Sequence, residues 1–465
     1  MRNTSIALRS SLLALCLAAG AGRVYPQWVE DSIQVPGAWV GSLAYNSRED
    51  VLYGHCEQAG MYFAIDCDSN KLLAAFPLHF PAYTAFDSTD DELYLPFGDI
   101  GYESLAVVDG HSHAVVKKLD LPDANVAVWD TISDRLYISR CNANLVSILD
   151  CRTDTFVAHL AVGAAPIKMY INPLRRKLYV LNYDAGSVSV IDMATNQVTK
   201  TIDVGQTPNA GYYCRRLDKF YCPGNYGEVV AIDGQTDSIV ARISIRQSSL
   251  ILSLAGNDAI PAVMVGVEDE GDYLYTVDAA LDSVTGSLQV PGALDGVLYS
   301  PASGRFYCAN DGHGSVTVVS GDGTRNLKTL PMGDDPFVLL RVPRHNRIYV
   351  GDLGRAWVYV IKDSPGGIEE SPGNPPLSCG LKVTPSPFTH SVTAVSEDGS
   401  AGFAPVKVFS LEGSLVGTFG AWRAEGNRVS AVWNGLGADG KPVPKGVYIA
   451  SAAGSGCRVK LVKAE

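Results

Sequence analysis

The chain carries eight histidines and ten cysteines, yet neither type falls in a spacing that builds a reaction centre. No HExxH places two imidazoles one helical turn apart for zinc, and no GxSxG raises a serine on a strained turn. The cysteines form no CxxC and no CxxCH, which excludes a zinc ribbon, a thioredoxin-like centre and attached c-type haem. His111 and His113 stand two apart in a predicted turn, while His159, His345 and His390 read as surface or strand-end residues. Asp66-Cys67-Asp68-Ser69-Asn70 opens like a calcium loop. Lys71 and Pro77 then occupy the sixth and twelfth places, where such a loop needs Gly and Glu, so the segment reads as a turn. The run from Gly435 to Gly440 matches GxGxxG, but Pro442 and Pro444 follow it and forbid the helix that would receive a pyrophosphate. The acidic stretches 87–92 and 268–272 read as solvated loops. No catalytic residue, metal ligand or cofactor is assigned.

What must position any functional residue is a repeat. Tyrosine follows a large apolar residue at Tyr53, Tyr94, Tyr137, Tyr179, Tyr221, Tyr307 and Tyr349, with gaps of 41, 43, 42, 42, 86 and 42 residues. The gap of 86 is two periods, and Ala262-Val263 takes the apolar–Tyr slot of the weaker sixth unit. A second marker, an apolar run ending in Asp, recurs at Asp66, Asp109, Asp150, Asp192, Asp233 and Asp278, with Ser320 and Lys362 in that slot of the last two units. Each unit holds four short Val-, Ile- and Tyr-rich runs separated by turn residues, and no helical pattern lies between them. Eight such units predict an all-β, eight-bladed β-propeller over residues 32–363, or a seven-bladed one if unit six packs irregularly. The last unit lacks a fourth run. Ser32-Ile33-Gln34-Val35-Pro36-Gly37-Ala38 mirrors Ser287-Leu288-Gln289-Val290-Pro291-Gly292-Ala293, so the N-terminal strand is expected to complete the last blade near Tyr359.

Composition agrees. Charged residues are 18% of the 465, and Gly numbers 46, a turn-rich and rather apolar profile. The net charge of −12 argues against nucleic acid as a partner. Arg2 and Arg9, the apolar residues 12–19 and Ala19-Gly20-Ala21 read as a signal peptide over residues 1–22, too short to span a bilayer. No transmembrane span is expected, and the mature chain is expected to be secreted or at the cell surface.

The repeat resembles the YVTN family of bacterial propellers, also called YncE-like. Val162-Gly163, Pro166, Leu178-Tyr179-Val180, Asn182 and Val188-Ser189-Val190-Ile191-Asp192 carry the likeness best. It implies architecture and no single chemistry. Residues 364–380 form a Pro/Gly-rich linker. Residues 381–465 read as a small Ig-like β-sandwich with Val406, Val408, Val432 and Trp433 as core candidates. The order Val406–Gly413, Trp433-Asn434-Gly435, Gly446-Val447-Tyr448-Ile449 resembles the FlgD-like Ig fold and the sorting domains of type IX secretion cargo, which implies a secretion or surface-anchoring module that engages export machinery. Cys379 and Cys457 flank its first and last strands, where a bridge between them would close the module.

In a propeller the loops between second and third strands share a face with the links between blades, around the channel mouth. The polar residues just past the Tyr of each second strand are His55, Asp99, Arg140, Asn182, Asn225, Asn310, Asp311 and Asp352. They form the expected ligand-binding set, although strand ends that turn in water are polar in any case. Three readings follow: an exported, non-catalytic propeller binding a protein, glycan or cell-envelope component; a propeller enzyme of lyase, lactonase or quinone-dependent dehydrogenase type; and a structural surface-layer or adhesive component.

Overall fold

The computed structural model describes residues 27–78, 83–97, 104–247, 249–268, 272–363, 381–384, 389–396, 406–410, 415–420, 423–425, 428–437, 440–452 and 458–463. The chain divides into two compact units, Met1–Gly366 and Gly367–Glu465. Residues 1–22, Asp99, residues 364–380, Cys379 and Cys457, all named above, lie outside the described residues.

Eight four-stranded antiparallel sheets build the first unit, an all-β, eight-bladed propeller. The first strands of blades one to eight are Val40–Asn46, Ala85–Asp87, Ala124–Asp130, Pro166–Asn172, Tyr212–Cys214, Leu250–Asn257, Ala293–Ser300 and Pro336–Val342. Each touches the first strand of the next blade, and the eighth touches the first, which closes the ring. Unit six is a complete blade, so the count is not seven. Closure is shared between the chain's two ends of the unit. Gln27–Gln34 pairs antiparallel with Trp357–Asp363, setting Ser32 opposite Tyr359 and Ile33 opposite Val358. No sheet edge is thereby left for the last blade's third strand to offer another chain.

The repeated residues have mechanical tasks. The marker tyrosines are fully buried, and all but Tyr307 send their hydroxyls into the next blade's last turn. Tyr53 meets Gly110 O and His113, Tyr94 donates to Asp154, Tyr137 to Asn196, Tyr179 to Asp237, Tyr221 to Asp282, and Tyr349, in blade eight, to Asn70 of blade one. These six side-chain partners share a left-handed backbone, φ from 48° to 57°, which Asn and Asp tolerate better than other non-glycine residues. Tyr307 instead reaches Asp363 at 2.6 Å. In blade six the register corrects the sequence reading by one residue. Val263 pairs with Val277 and Met264 with Thr276, so Val263-Met264 fills the slot, and the methionine sulfur accepts from Thr276 Oγ1 where a hydroxyl would otherwise reach out. The marker aspartates close Asx turns as expected, for example Asp192 Oδ1 accepting Ala194 N–H at 2.8 Å and Thr195 N–H at 3.0 Å.

His113 is spent on Tyr53, and His111 is exposed beside Glu49, so the two imidazoles do not converge. Residues 67–70 form a turn, with Ser69 N–H on Asp66 Oδ1.

In the second unit two four-stranded sheets share one core, in which Val406, Val408, Ala431, Trp433, Tyr448 and Leu461 are buried. Val432 is 51% exposed, which corrects its assignment to the core: alternation along the strand sends Ala431 and Trp433 inward and Val432 out. Gly435, Leu436 and Gly437 follow that strand as a turn closed by a Leu436–Pro442 bridge, without a helix.

Candidate functional site

The channel mouth is built by a slip in strand pairing. In six blades the register between first and second strands shifts within the first residues of the blade. A bulged residue leaves the ladder and turns its side chain to a new direction. Gly41, Leu252, Asp295 and Phe337 are residues skipped in this way, and all four line the channel with Tyr83, Lys168 and Tyr170 around a water-accessible cavity of about 200 Å³.

Asp295 dominates its electrostatics. Burial, then the neighbouring carboxylate of Asp311 and the charge of Glu268, push its carboxyl up to about 6, with Lys168 opposing. Burial likewise raises Asp335, and Asp311 adds to the rise against a hydrogen bond from Gly312 N–H. Burial draws the Lys168 ammonium below its usual range, with Asp295 opposing. Tyr83 lines the channel with its side chain 40% exposed, and partial enclosure there raises its hydroxyl first, then the charges of Glu57 and Asp295. Four large aromatic side chains are exposed on this face, Trp39, Tyr83, Tyr183 and Tyr226. Trp39 is 52% exposed and sits at φ 64°, a backbone region that costs a bulky residue of order 1 kcal/mol. The equivalent links carry Asp123, Ala165, Thr207 and Gly292. A rim of carboxylates and aromatic faces over a narrow cavity can hold a cation, through charge and through the ring quadrupoles.

The residues expected from the sequence divide into two groups. Asp311 and His55 belong near the mouth. His55 is buried, its Nδ1 is 2.8 Å from Ser42 Oγ, and its Nε2 lies 3.6 Å from Glu57 Oε1, beside channel-lining Gly41. The other described ones hold turns. Asn182 donates to Ser187 and Ser189, and Asn310 makes the same pair of bonds to Ser315 and Thr317. Asp352, fully buried, accepts the N–H groups of Asp334, Asp335 and Arg355 at 3.0, 3.3 and 2.9 Å. Arg140 donates to Pro122 O, and Asn225 donates to Glu228. Sequence reasoning missed Asp295, Lys168, Tyr83 and Tyr170, because it looked for the mouth in the turns after second strands rather than in the first strands that line the channel. An acidic residue inside the Leu294-Asp295-Gly296 start of a first strand was the available signal.

No family model matches the chain, and no curated protein sequence does. Solved structures do. The chain is similar to BamB from Moraxella catarrhalis at TM-score 0.57 and 13% identity, over 72% of this chain and 99% of that one. It is similar to the computationally designed protein Ika8 at TM-score 0.57 and 12% identity, over 70% of this chain and 98% of the other. A chain of a mitotic checkpoint complex aligns at TM-score 0.54 and 13% identity, over 77% and 99%. At such identities the likeness carries the propeller fold.

Proposed function

We propose that this chain is a non-catalytic binding propeller that takes a basic, extended segment of a partner protein at its channel mouth. The observation that carries the reading is Asp295, bulged into the channel beside Asp311 in a cavity it shares with Tyr83 and Tyr170, on the face where Trp39, Tyr183 and Tyr226 are exposed. Lysine and arginine side chains fit such a rim, where carboxylates supply charge and aromatic faces supply area at low entropic cost. That one similar propeller was solved as part of a multi-protein complex accords with a binding or scaffold role. The proposal extends to delivery, with residues 1–22 as an export signal and residues 381–465 as a secretion or surface-anchoring module.

Titration calorimetry with an unstructured peptide of alternating Lys and Gly tests the mouth. The double variant Asp295→Asn, Asp311→Asn is expected to weaken binding at least about tenfold, the size of one lost desolvated charge contact. Asp68→Asn with Asp90→Asn removes the same charge from turns on the opposite face and is expected to change affinity little. The pH dependence has a definite sign. Asp295 is raised in the folded chain, so its ionisation costs stability as pH climbs through about 6, and a bound cation offsets that cost. Peptide affinity is therefore expected to fall as pH is lowered from 7.5 to 5. Equal losses in the two double variants, or a flat profile through pH 6, would count against the mouth.

A further inference from the structure

At the seams between blades, the end of one first strand faces the left-handed residue of the next blade's first turn. Opposite groups meet there. Asn46 Nδ2 donates to Asp91 at 2.7 Å, and Asn172 Nδ2 donates to Asp218 at 3.1 Å. Arg176 Nη1 donates to Asp130 at 2.6 Å, and His345 Nε2 lies 2.6 Å from Asp50 across the closing seam. Between blades two and three the pattern breaks, and Asp87 faces Asp134. Neither carboxylate brings a donor to the other.

Asp87 is fully buried. Its Oδ1 accepts Thr89 N–H at 2.7 Å, while its Oδ2 has no hydrogen-bond partner. Asp134 Oδ1 accepts from Trp129 Nε1 at 3.2 Å, and Arg152 reaches only to 3.8 Å of Asp134 Oδ2 from a position 63% exposed. The Sγ of buried Cys151 lies at the same point, and one ligand atom from each of Asp87, Asp134 and Cys151 falls within 4.8 Å of the others. Tyr94, whose hydroxyl bonds Glu92 and Asp154, packs in the same core cluster as Cys151. A buried acceptor with nothing to accept keeps the full penalty of leaving water, more when charged, so such a group calls for a partner.

We propose that the seam between blades two and three is a structural divalent-metal site of zinc type, held by Asp87, Asp134 and Cys151. A thiolate with two carboxylates suits a borderline-soft tetrahedral ion, whereas calcium and magnesium need six or more oxygens. Three protein donors leave the fourth position to water. The ion displaces the thiol proton of Cys151 and any proton held between the two carboxyls, so uptake releases protons. In effect the metal does at this seam what an Asn–Asp hydrogen bond does between blades one and two and between blades four and five, which ties the site to blade packing rather than to the channel mouth.

The test uses the full chain after treatment with a chelator, with Zn2+ added back and binding read by calorimetry and by melting temperature. The wild-type chain is expected to take up one ion at this seam and to melt several degrees higher. Cys151→Ser and Asp87→Asn are each expected to lose that shift. Asp87→Asn is the decisive variant, because its amide recreates the Asn–Asp pair found between blades one and two and between blades four and five, and its metal-free form is expected to melt no lower than the wild type. Equal zinc uptake by Asp87→Asn would overturn the proposal. So would an absence of any zinc-dependent shift in the wild type. A melting temperature that falls as pH rises, only when Asp87 is present and without response to zinc, would instead assign a shared proton to the pair.

Discussion

A chain that begins at Val35 is expected to lose about 5 kcal/mol or more of stability and to self-associate. Removing Gln27–Gln34 strips the ladder from Trp357–Asp363 and leaves that strand as an open edge. It also removes Ile33, 6% exposed within the core shared by blades eight and one, and deletions of buried aliphatic side chains of this size cost about 2–5 kcal/mol each. The fork of Arg347 onto Glu30, at 2.7 and 3.0 Å, goes with it, leaving a guanidinium that had been mostly buried against the strand. Urea unfolding and sedimentation check this together. The gentler Ile33→Ala is expected to lower the unfolding midpoint without association. An unchanged midpoint in the truncated chain would mean that the ring is held shut by something other than the shared blade.

Asp352→Ala is expected to destabilise the chain by about 2–4 kcal/mol, since three backbone N–H groups lose their acceptor at once. Arg140→Ala, which gives up one exposed bond to Pro122 O, is expected to stay within about 0.5 kcal/mol. Both end a second strand, and only their environment separates them. Chemical denaturation measures the difference. Wild-type stability in Asp352→Ala, accompanied by weaker binding of the Lys–Gly peptide, would show that this carboxylate meets ligand rather than holding the turn from Gly333 to Arg355.

How far the sequence could be read follows from the same distinction between period and environment. The blade count, the Asx turns at Asp66 or Asp192 and the closing strand around Ile33 were legible because each rests on spacing along the chain. The marker tyrosine was visible as a pattern, but its purpose was not, since its partner lies about 60 residues on in the next blade's last turn. Blade six was misaligned by one residue because Met264, not an aromatic, packs at the latch position. The mouth was legible only in part. Asp295 reaches the channel through a bulge, and a bulge depends on which residues pair rather than on which are polar. The seam of Asp87, Asp134 and Cys151 joins residues 47 and 17 positions apart, and no local motif records them.

Which surface is the binding face is read directly by site-specific photo-crosslinking. A photoreactive phenylalanine analogue placed at Trp39 or Tyr226, on the mouth, and at Ile132 or Leu281, on turns of the opposite face, would be illuminated with the Lys–Gly peptide bound. Adducts at the first two positions, abolished by Asp295→Asn with Asp311→Asn, are the predicted result. Adducts at Ile132 or Leu281 that persist in that double variant would contradict it.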